Sequence, residues 1–265
     1  MTTVAILGVG AMGGALAAGL VTSGHDPGDL VAIEQAGVDV QHLRDAGYRV
    51  STSVLDAVEA DYIIVATKPH HALEVVQPLG GSGFSGTLVS IAAGITTRAY
   101  EDVLGDVPVV RAMPNTPALV GEGMTGVARG SNVTDQQMSG AVSLLESVGQ
   151  VVVVEEADLD AVTAVSGSGP AYVFLLAEAL IDAAIAEGLA PDVASQLATA
   201  TVRGAGILLS VDGAGPAGLR ARVTSPGGTT EAAVAVFEEH GWAEIVARAV
   251  TAAADRSRTL REEKA

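Results

Sequence analysis

A glycine-rich turn near the start of the chain constrains its fold more than any other feature. Gly8-Val9-Gly10-Ala11-Met12-Gly13 directly follows the apolar run Val4–Leu7 and opens a segment of helical character. In this context the first glycine permits a tight turn, Gly10 lets the backbone approach a ligand, and Gly13 permits close packing of helix on strand. The amino end of the helix offers free N–H groups and partial positive charge to phosphates. The pattern predicts a dinucleotide-binding site.

The chain up to residue 155 alternates short apolar runs with segments of helical character. The predicted strands are Val4–Leu7, Leu30–Ile33, 62–66, 87–91, 107–112, 126–128 and 151–154. The helices predicted between them are 13–23, 38–46, 54–60, 71–76, 98–104 and 135–148. Continuous apolar strands that alternate with helices indicate a buried parallel sheet with helices on both faces. We therefore predict an α/β Rossmann domain over residues 1–155.

Beyond residue 155 the pattern changes to helices alone. We predict them at 159–165, 171–187, 192–210, 217–223, 230–240 and 242–263, with glycine and proline in the breaks. Several are apolar nearly all round, as in Val173-Phe174-Leu175-Leu176-Ala177, and such a helix must be covered on every side. Residues 156–265 are therefore predicted to form an all-α dimerisation and substrate domain. A compact monomeric bundle is the alternative.

The composition excludes several classes of protein. The chain has no cysteine, which rules out disulfides and thiolate metal sites and is typical of a cytoplasmic protein. Its net charge of −17 would repel nucleic-acid backbones, so we expect no nucleic-acid partner. We expect no membrane partner, because no apolar run approaches the roughly 20 residues of a membrane span. We also expect no metal site, since the adjacent His70 and His71 cannot share one face of a helix or strand.

Further residues extend the predicted dinucleotide site. Glu34 ends the second strand, where a carboxylate accepts hydrogen bonds from ribose hydroxyls and repels a 2′-phosphate. Gln35 follows instead of an arginine, which favours NADH over NADPH. Lys68 lies just after the strand at 62–66, at the sheet edge where such ligands bind, and Ala92-Ala93-Gly94 ends the next strand at that edge. These small residues allow a flat nicotinamide ring to lie close to the backbone.

Two loops of the helical half are suited to a small anionic ligand. Ser166-Gly167-Ser168-Gly169-Pro170 is predicted to join two helices, and Val223-Thr224-Ser225-Pro226-Gly227-Gly228-Thr229-Thr230 precedes another. Backbone N–H groups and hydroxyls at a helix start can bind a carboxylate. Simple helix capping, for instance by Thr229, is the alternative for either loop.

These segments together make the chain resemble the pyrroline-5-carboxylate reductase family. The resemblance is carried by the glycine turn, Ala66-Thr67-Lys68-Pro69, Ala92-Ala93-Gly94, Arg111-Ala112-Met113-Pro114-Asn115-Thr116-Pro117, Asp160-Ala161-Val162-Thr163 and the two loops. It implies a Rossmann domain followed by a helical dimerisation domain, in which two subunits interlock and dimers often form decamers. It also implies reduction of the imine of 1-pyrroline-5-carboxylate to L-proline with NADH or NADPH.

The resemblance also implies site residues, which add to those of the glycine turn. The predicted cofactor contacts are Leu7, Gly8, Val9, Gly10, Ala11, Met12, Gly13, Glu34, Ser53, Ala66, Thr67, Lys68, Pro69, Ala92, Ala93 and Gly94. The predicted substrate contacts are Glu156, Ser225, Gly228, Thr229 and Thr230. The chain departs from the family's pattern at Thr67, where valine is commoner, and at Arg222, where asparagine is frequent. We expect the departure at Thr67 to matter little.

The predicted mechanism rests on the loop at residues 225–230. Its backbone N–H groups hold the substrate carboxylate and the Thr230 hydroxyl faces the ring nitrogen, with Ser225 as the second catalytic candidate. A 3-hydroxyacid dehydrogenase of similar plan is the enzymatic alternative. Enzymes of that class resemble one another in using a lysine from the helical half as acid and base. This chain has no lysine between Lys68 and Lys264. A dinucleotide sensor without catalytic activity is the third possibility.

Overall fold

The two halves predicted from the sequence correspond to two structural units with a different boundary. A computed structural model describes residues 2–264. The first unit extends to Ser168 and includes the chain again from Ala253, and the second unit is Gly169–Ala252. Residues beyond the predicted boundary join the first unit because Leu159 is fully buried and packs, with Val162, over Gly126. The predicted ranges 1–155 and 156–265 therefore do not coincide with these units.

The first unit contains a sheet of eight strands. They are β1 (Val4–Leu7), β2 (Leu30–Ile33), β3 (Arg49–Ser51), β4 (Tyr62–Val65), β5 (Thr87–Ser90), β6 (Val109–Met113), β7 (Gly123–Arg129) and β8 (Gly149–Val153). Their order is β3-β2-β1-β4-β5-β6-β7-β8, and the first six follow the Rossmann order. Strands β6 and β7 pair antiparallel and β8 is parallel to β7, so the expectation of a wholly parallel sheet is wrong at this edge.

Strand β3 is not predicted by the sequence pattern. Its three residues, Arg49–Ser51, are exposed or half-buried, so no apolar run marks it. In contrast, β1, β2 and β5 are buried along their full length, and their predicted bounds agree with the structure to within one residue. The sequence pattern therefore reveals the interior strands of the sheet and misses the edge.

The helices of the first unit vary in how closely they follow the predictions. They are α1 (Ala11–Thr22), α2 (Gln41–Asp45), α3 (Pro69–Val76), α4 (Thr97–Leu104), α5 (Asp135–Leu145) and α6 (Leu159–Val162). The helix predicted at 54–60 is a single 3-10 turn, Val54–Ala57, whose amino end is capped by the Ser53 hydroxyl. The helix predicted at 38–46 is reduced to α2.

Side chains at alternate positions of the central strands form a core on each face of the sheet. On one face, Leu7 packs in a cluster with Tyr100 of α4 and Ala72 of α3. On the other face, Ile6 packs in a cluster with Leu16 of α1 and residues of α5. The sheet is therefore covered by helices on both sides, as the apolar strands predict. This arrangement leaves the carboxyl ends of the parallel strands as the edge that can receive a ligand.

The second unit consists of helices. They are α7 (Gly169–Ala186), α8 (Pro191–Val211), α9 (Gly215–Arg222), α10 (Thr229–Glu239) and α11 (Trp242–Glu262), of which the residues from Ala253 belong to the first unit. None of the residues of α7, all of which are described, is buried. Its Phe174 and Leu175 side chains are 61% and 66% exposed. Large apolar side chains are also exposed on α8, α10 and α11, including Leu197, Ile207, Leu208, Leu209, Val236, Phe237, Ile245 and Val246.

The break predicted at residues 166–170 is not a loop. The chain passes from α6 through a π-helical turn, Thr163–Gly167, to the start of α7. The Ser168 N–H donates to the Thr163 carbonyl at 2.8 Å. The Asn115 amide donates to the carbonyl and hydroxyl oxygens of Ser166 at 3.2 and 3.3 Å. These bonds supply hydrogen-bond partners to backbone groups at the place where the serines and glycines predict a break in the helix.

As a result, one helical stretch is long and apolar enough to cross a membrane, judged by length and composition alone. It spans Glu156–Ala186, and none of its most apolar window is buried within the chain. No such stretch is expected from the sequence, in which no apolar run approaches about 20 residues and a break is predicted at residues 166–170. An exposed apolar surface of this kind is normally buried against another surface, which can be a second protein subunit or lipid.

Candidate functional site

The glycine turn after β1 has the backbone geometry that the sequence pattern predicts. Gly8 has a φ of +88°, which side chains larger than hydrogen rarely allow. A Cβ on Gly13 would lie 2.0 Å from the Gly8 carbonyl oxygen, so only glycine permits this approach of α1 to β1. A Cβ on Gly10 would meet nothing within 4 Å. The space beside Gly10, at the uncapped amino end of α1, is therefore open to a phosphate group.

A cavity of about 490 Å³ opens beside this turn. The predicted cofactor residues that line it are Leu7, Gly8, Glu34, Ser53 and Thr67. Residues that the sequence analysis did not assign to the site also line it: Ile33, Gln35, Thr52, Val54, Leu55, His71, Glu74, Val75 and Pro78. Thr52 directly follows β3, and parallel strands end at a common edge of the sheet, so recognising β3 would have revealed it. His71 belongs to the first turn of α3, next to its ring partner His70.

The Glu34 carboxylate is bonded to the glycine turn. Its Oε2 accepts from the Val9 N–H at 2.9 Å, and its Oε1 accepts from the Gln35 N–H at 2.8 Å. These bonds hold a negative charge at the end of the cavity next to the turn. No arginine or lysine is among the described residues that line the cavity, so no permanently charged cation there is paired with Glu34.

Thr67 carries the one buried side-chain polar atom without a hydrogen-bond partner in the described part of the chain, its Oγ1. Thr67 lines the cavity, and its Cγ2 lies 3.1 Å from the position that a Cβ on Gly8 would occupy. A change of χ1 rotamer would place Oγ1 where Cγ2 now lies and turn the hydroxyl toward the glycine turn. A buried hydroxyl without a partner costs about 1–3 kcal/mol, which a ligand that accepts its bond would remove.

Residues 66–69 continue from β4 along the same edge. The Ala66 N–H donates to the Leu7 carbonyl at 2.8 Å, which joins this segment to the end of β1. Lys68 is the N-cap residue of α3 and its side chain is exposed, while Pro69 is the first residue of that helix. The Lys68 ammonium therefore brings a positive charge to the edge that carries the glycine turn.

The turn Ala92-Ala93-Gly94 follows β5 at this edge and is held from inside. The Ala92 N–H donates to the Ser90 hydroxyl at 3.2 Å, and Ser90 shares a 2.7 Å hydrogen bond with the Tyr100 hydroxyl. Burial raises the pKa of Tyr100 to about 12, against the smaller opposing effects of the Ser90 bond and the Arg111 charge. Tyr100 is therefore protonated at neutral pH and serves as a hydrogen-bond partner for Ser90.

Both oxygens of the Glu156 carboxylate are bonded within the first unit. Oε1 accepts from the Thr97 N–H at 2.8 Å and from Arg111 Nη1 at 3.2 Å, and Oε2 accepts from the Thr97 hydroxyl at 2.7 Å. The Arg111 side chain is only 5% exposed, so Glu156 supplies the negative charge that a buried guanidinium requires. These bonds account for the position of Glu156 without a substrate.

In the second unit, the loop at residues 225–230 leads into α10. Gly228 is the N-cap residue and no side chain caps the helix, so the alternative that Thr229 is a simple cap is wrong. The first N–H groups of an α-helix have no acceptor within it. The Gly228 N–H donates to the Ser225 carbonyl at 3.0 Å, and the Ser225 side chain is exposed. Thr229 is exposed and Thr230 half-buried, so this helix start presents N–H groups and hydroxyls to an anion.

Arg222 has a partner of its own. Its Nη1 lies 2.6 Å from Asp212 Oδ2, and the Ala214 N–H donates to Asp212 Oδ1 at 2.9 Å. The bond from Ala214 and then the bond from Arg222 lower the pKa of Asp212. Arg222 therefore joins the ends of α8 and α9, which is a structural use for a residue that departs from the family's pattern.

Known proteins match this chain over nearly its whole length. A family model described as pyrroline-5-carboxylate reductase dimerisation matches residues 156–260, and one described as NADP oxidoreductase, coenzyme F420-dependent, matches residues 3–94. The pyrroline-5-carboxylate reductase of Mycobacterium leprae is 42% identical over 287 residues, which cover 98% of this chain and 97% of that protein. The chain belongs to the pyrroline-5-carboxylate reductase family.

Solved structures of this family have the same fold. The reductase of Coxiella burnetii superposes with a TM-score of 0.94 at 35% identity and covers 98% of both chains. The pyrroline carboxylate reductase of Plasmodium falciparum, solved with NADP bound, superposes with a TM-score of 0.85 at 28% identity and also covers 98% of both chains. The predicted family and the predicted fold class, a Rossmann domain followed by a helical dimerisation domain, are confirmed.

Proposed function

We propose that the protein reduces the imine of 1-pyrroline-5-carboxylate to L-proline, with NADH or NADPH as the reductant, in the last step of proline biosynthesis. One observation carries this proposal. The same chain has a glycine turn with room for a dinucleotide after β1 and, at the start of α10, free N–H groups beside hydroxyl side chains. Relatives named pyrroline-5-carboxylate reductase share 37–42% identity over nearly the whole chain, which supports the same activity here.

The residues of the first unit fit a dinucleotide. The open space beside Gly10 suits a pyrophosphate at the amino end of α1, and the Thr67 hydroxyl lacks a partner that a ligand can supply. We propose as cofactor contacts the residues Leu7, Gly8, Val9, Gly10, Ala11, Met12, Gly13, Glu34, Ser53, Ala66, Thr67, Lys68, Pro69, Ala92, Ala93 and Gly94. The adenosine end would occupy the cavity next to Glu34, and the nicotinamide end would lie by the 92–94 turn.

The charge of Glu34 favours NADH over NADPH in this proposal. A 2′-phosphate on the adenine ribose would approach a carboxylate that two N–H groups hold beside the cavity, without an arginine or lysine among the described lining residues. The Glu34→Gln variant removes the charge and keeps the side chain's size. We expect it to lower the KM for NADPH and to raise the KM for NADH modestly, since an amide accepts the ribose hydroxyl bonds less well, as measured in parallel assays with both cofactors. An unchanged KM for NADPH would contradict the assigned repulsion.

The substrate is proposed to bind at the start of α10. Its carboxylate would accept bonds from the free N–H groups there, with Ser225, Gly228 and Thr229 forming the surrounding loop. The Thr230 hydroxyl would orient the ring nitrogen, and Ser225 would assist it. The dihydronicotinamide supplies the hydride to the imine carbon. Because an imine gains a proton easily, Thr230 has to position the nitrogen rather than act as a strong acid, and most of the rate comes from this positioning.

Glu156 enters the proposal as an indirect contributor. Its carboxylate binds Thr97 at the start of α4, and Thr97 lies three residues after the end of the 92–94 turn. Since both carboxylate oxygens already have donors, a direct bond to substrate would compete with Arg111 for the same charge. We therefore assign the direct substrate contacts to the loop at residues 225–230 and not to Glu156.

A second copy of the chain is proposed to cover the apolar helices of the second unit. The dimerisation match over residues 156–260 supports an oligomer, and a decamer would be built from such dimers. Lipid is the less favourable cover, because Glu178 and Asp182 both lie within α7 and a charged residue at the centre of a membrane helix costs about 3 kcal/mol. The exposed apolar residues of α8, α10 and α11 would remain uncovered in that case. We propose a cytoplasmic enzyme without membrane or nucleic-acid partners.

The decisive test is the oxidation of NADH by the purified protein, followed by absorbance with and without added 1-pyrroline-5-carboxylate. We expect oxidation that depends on the imine and yields L-proline. Oxidation of NADH that depends instead on a 3-oxoacid, which is reduced to the 3-hydroxyacid, would support the dehydrogenase alternative. NADH binding without turnover of either substrate would support the sensor.

Thr230→Ala tests the assigned role of the hydroxyl. We expect a loss of about 10²-fold in kcat with little change in NADH affinity, because the positioning group acts only on the substrate. Thr230→Ser keeps a hydroxyl and should recover most of the rate. Turnover of Thr230→Ala at the wild-type level would show that another group positions the ring nitrogen.

A further inference from the structure

The end of α11 packs on the turn that the proposed function assigns to the nicotinamide. Lys264 Nζ donates to the Ala93 carbonyl oxygen at 3.2 Å, and this contact is partly buried. Gly94 has a φ of +78°, and a Cβ there would lie 3.3 Å from the Leu260 carbonyl oxygen and 3.3 Å from Lys264 Nζ. The 92–94 turn is therefore in contact with Leu260 and Lys264 at the end of α11 and just beyond it.

A buried carboxylate anchors this end of α11 in the first unit. Asp160 has a side chain that is only 4% exposed, and its Oδ2 lies 3.2 Å from Arg261 Nη2. Its Oδ1 accepts from the Ser257 hydroxyl at 2.7 Å, and Ser257 is itself buried. A buried charge without such partners would be strongly unfavourable, so these bonds fix where the helix end lies.

Neither Arg261 nor Lys264 has a role in the activity proposed above. Both lie beyond residue 260, where the dimerisation match ends. Lys264 is one of two lysines in a chain with a net charge of −17. Its ammonium donates a hydrogen bond to a backbone carbonyl of the turn that is proposed to receive the nicotinamide. The other lysine, Lys68, lies on the neighbouring turn of the same edge.

We infer that Lys264 is a positioning residue for the cofactor: it holds the 92–94 turn through the Ala93 carbonyl, as Ser90 holds it through the Ala92 N–H, in the shape that receives the nicotinamide. This inference rests on the proposed function, which assigns that turn to the cofactor. Without the Lys264 bond the turn samples more backbone conformations, and ordering them on binding costs free energy. The loss of a charge-assisted bond should therefore appear as weaker dinucleotide binding.

Titration of NADH fluorescence without substrate measures this effect directly. For Lys264→Met we expect about a fivefold to tenfold rise in the NADH Kd, which corresponds to about 1–1.4 kcal/mol. Lys264→Arg keeps a cationic donor and should restore most of the affinity. Arg258→Met is the matched control, because Arg258 is exposed and pairs with Asp255 on its own helix. It should bind NADH as the wild type does.

Hydrogen exchange of the free protein gives a second readout that does not depend on the cofactor. Peptides that contain residues 92–96 should exchange faster in Lys264→Met and unchanged in Arg258→Met. An unchanged NADH Kd in Lys264→Met, with or without faster exchange, would overturn the positioning role. So would an equal rise in Kd for Arg258→Met, since that would reflect the stability of α11 in general. A wild-type protein that binds no NADH would instead refute the proposed function, and the exchange result would still decide whether Lys264 holds the turn.

Discussion

The two units of this chain use apolar side chains in opposite ways. In the first unit Leu7 of β1 is fully buried, and in the second Leu175 of α7 is 66% exposed. Burying a leucine completely stabilises a fold by about 1.5–3 kcal/mol, and α7, α9 and α10 bury none of their residues within the chain. The sheet is therefore stabilised by its own chain, whereas the apolar side chains of the helical unit are left for the oligomer that the dimerisation match supports.

This difference separates the two halves of the proposed reaction. The residues assigned to the cofactor lie in the first unit, which provides its own core. The residues at 225–230, assigned to the substrate, lie in the unit whose helices are left uncovered by one chain. Changes in the first unit should therefore act on folding and cofactor binding, and changes on the apolar helices should act on assembly and substrate turnover.

The strongest test of the self-contained first unit is Gly13→Ala. A Cβ would meet the Gly8 carbonyl oxygen at 2.0 Å, so either α1 or the glycine turn must move. We expect the free energy of unfolding to fall by about 4 kcal/mol and NADH binding to be lost. Gly14→Ala is the matched control, because its Cβ would lie at an ordinary 3.4 Å from Val9 O and alanine favours the helix. Urea unfolding of both variants compares them. Equal stability would show that the turn can relax without cost.

The dependence of the second unit on a partner is tested by Leu175→Glu. A glutamate on the apolar face of α7 should weaken assembly by about 3 kcal/mol, because it has to be buried unpaired in the proposed interface. Sedimentation velocity should show smaller species, and turnover should fall more than NADH affinity. Val38→Glu is the control, since Val38 is an apolar residue of the first unit that is 48% exposed. An unchanged assembly of Leu175→Glu would mean that this face of α7 is not covered by a second copy.

Glu156→Gln distinguishes a structural from a substrate-binding role at the junction of the chain's two predicted halves. The variant leaves the buried Arg111 without its negative partner, and we expect the free energy of unfolding to fall by about 2 kcal/mol. Thermal unfolding is the measurement, with the exposed neighbour Glu155→Gln as control. If stability is unchanged and the KM for the imine rises instead, Glu156 contacts the substrate directly.

The smallest expected effect is that of Thr67→Val. Removing the unpartnered hydroxyl should stabilise the free protein by about 1 kcal/mol. If the hydroxyl bonds the cofactor, the same variant should bind NADH more weakly, and Thr67→Ser should behave as the wild type in both respects. Melting curves recorded with and without NADH separate the two effects. A gain in stability with unchanged NADH binding would return Thr67 to the minor role expected from the sequence.

Local patterns predicted the interior of the first unit well and its edge poorly. Strands β1 and β2 are buried on both faces, so their sequences are continuous apolar runs with clear ends. Strand β3 is partly exposed and was missed, and with it the cavity residue Thr52. The break at residues 166–170 was wrong because Asn115, 51 residues away along the chain, binds Ser166. Serine, glycine and proline mark a helix end only where nothing distant satisfies the backbone.

The sequence by itself determined the family, the Rossmann sheet and the glycine turn, because these depend on residues close together in the chain. A positive φ at Gly8 and an absent Cβ at Gly13 are local requirements, and a buried strand needs a local apolar run. Only the tertiary structure decided that Glu156 binds Thr97 and Arg111 and that Lys264 reaches the Ala93 carbonyl. Those contacts join residues 45 to 171 positions apart, and no periodicity in the sequence encodes the path that brings them together.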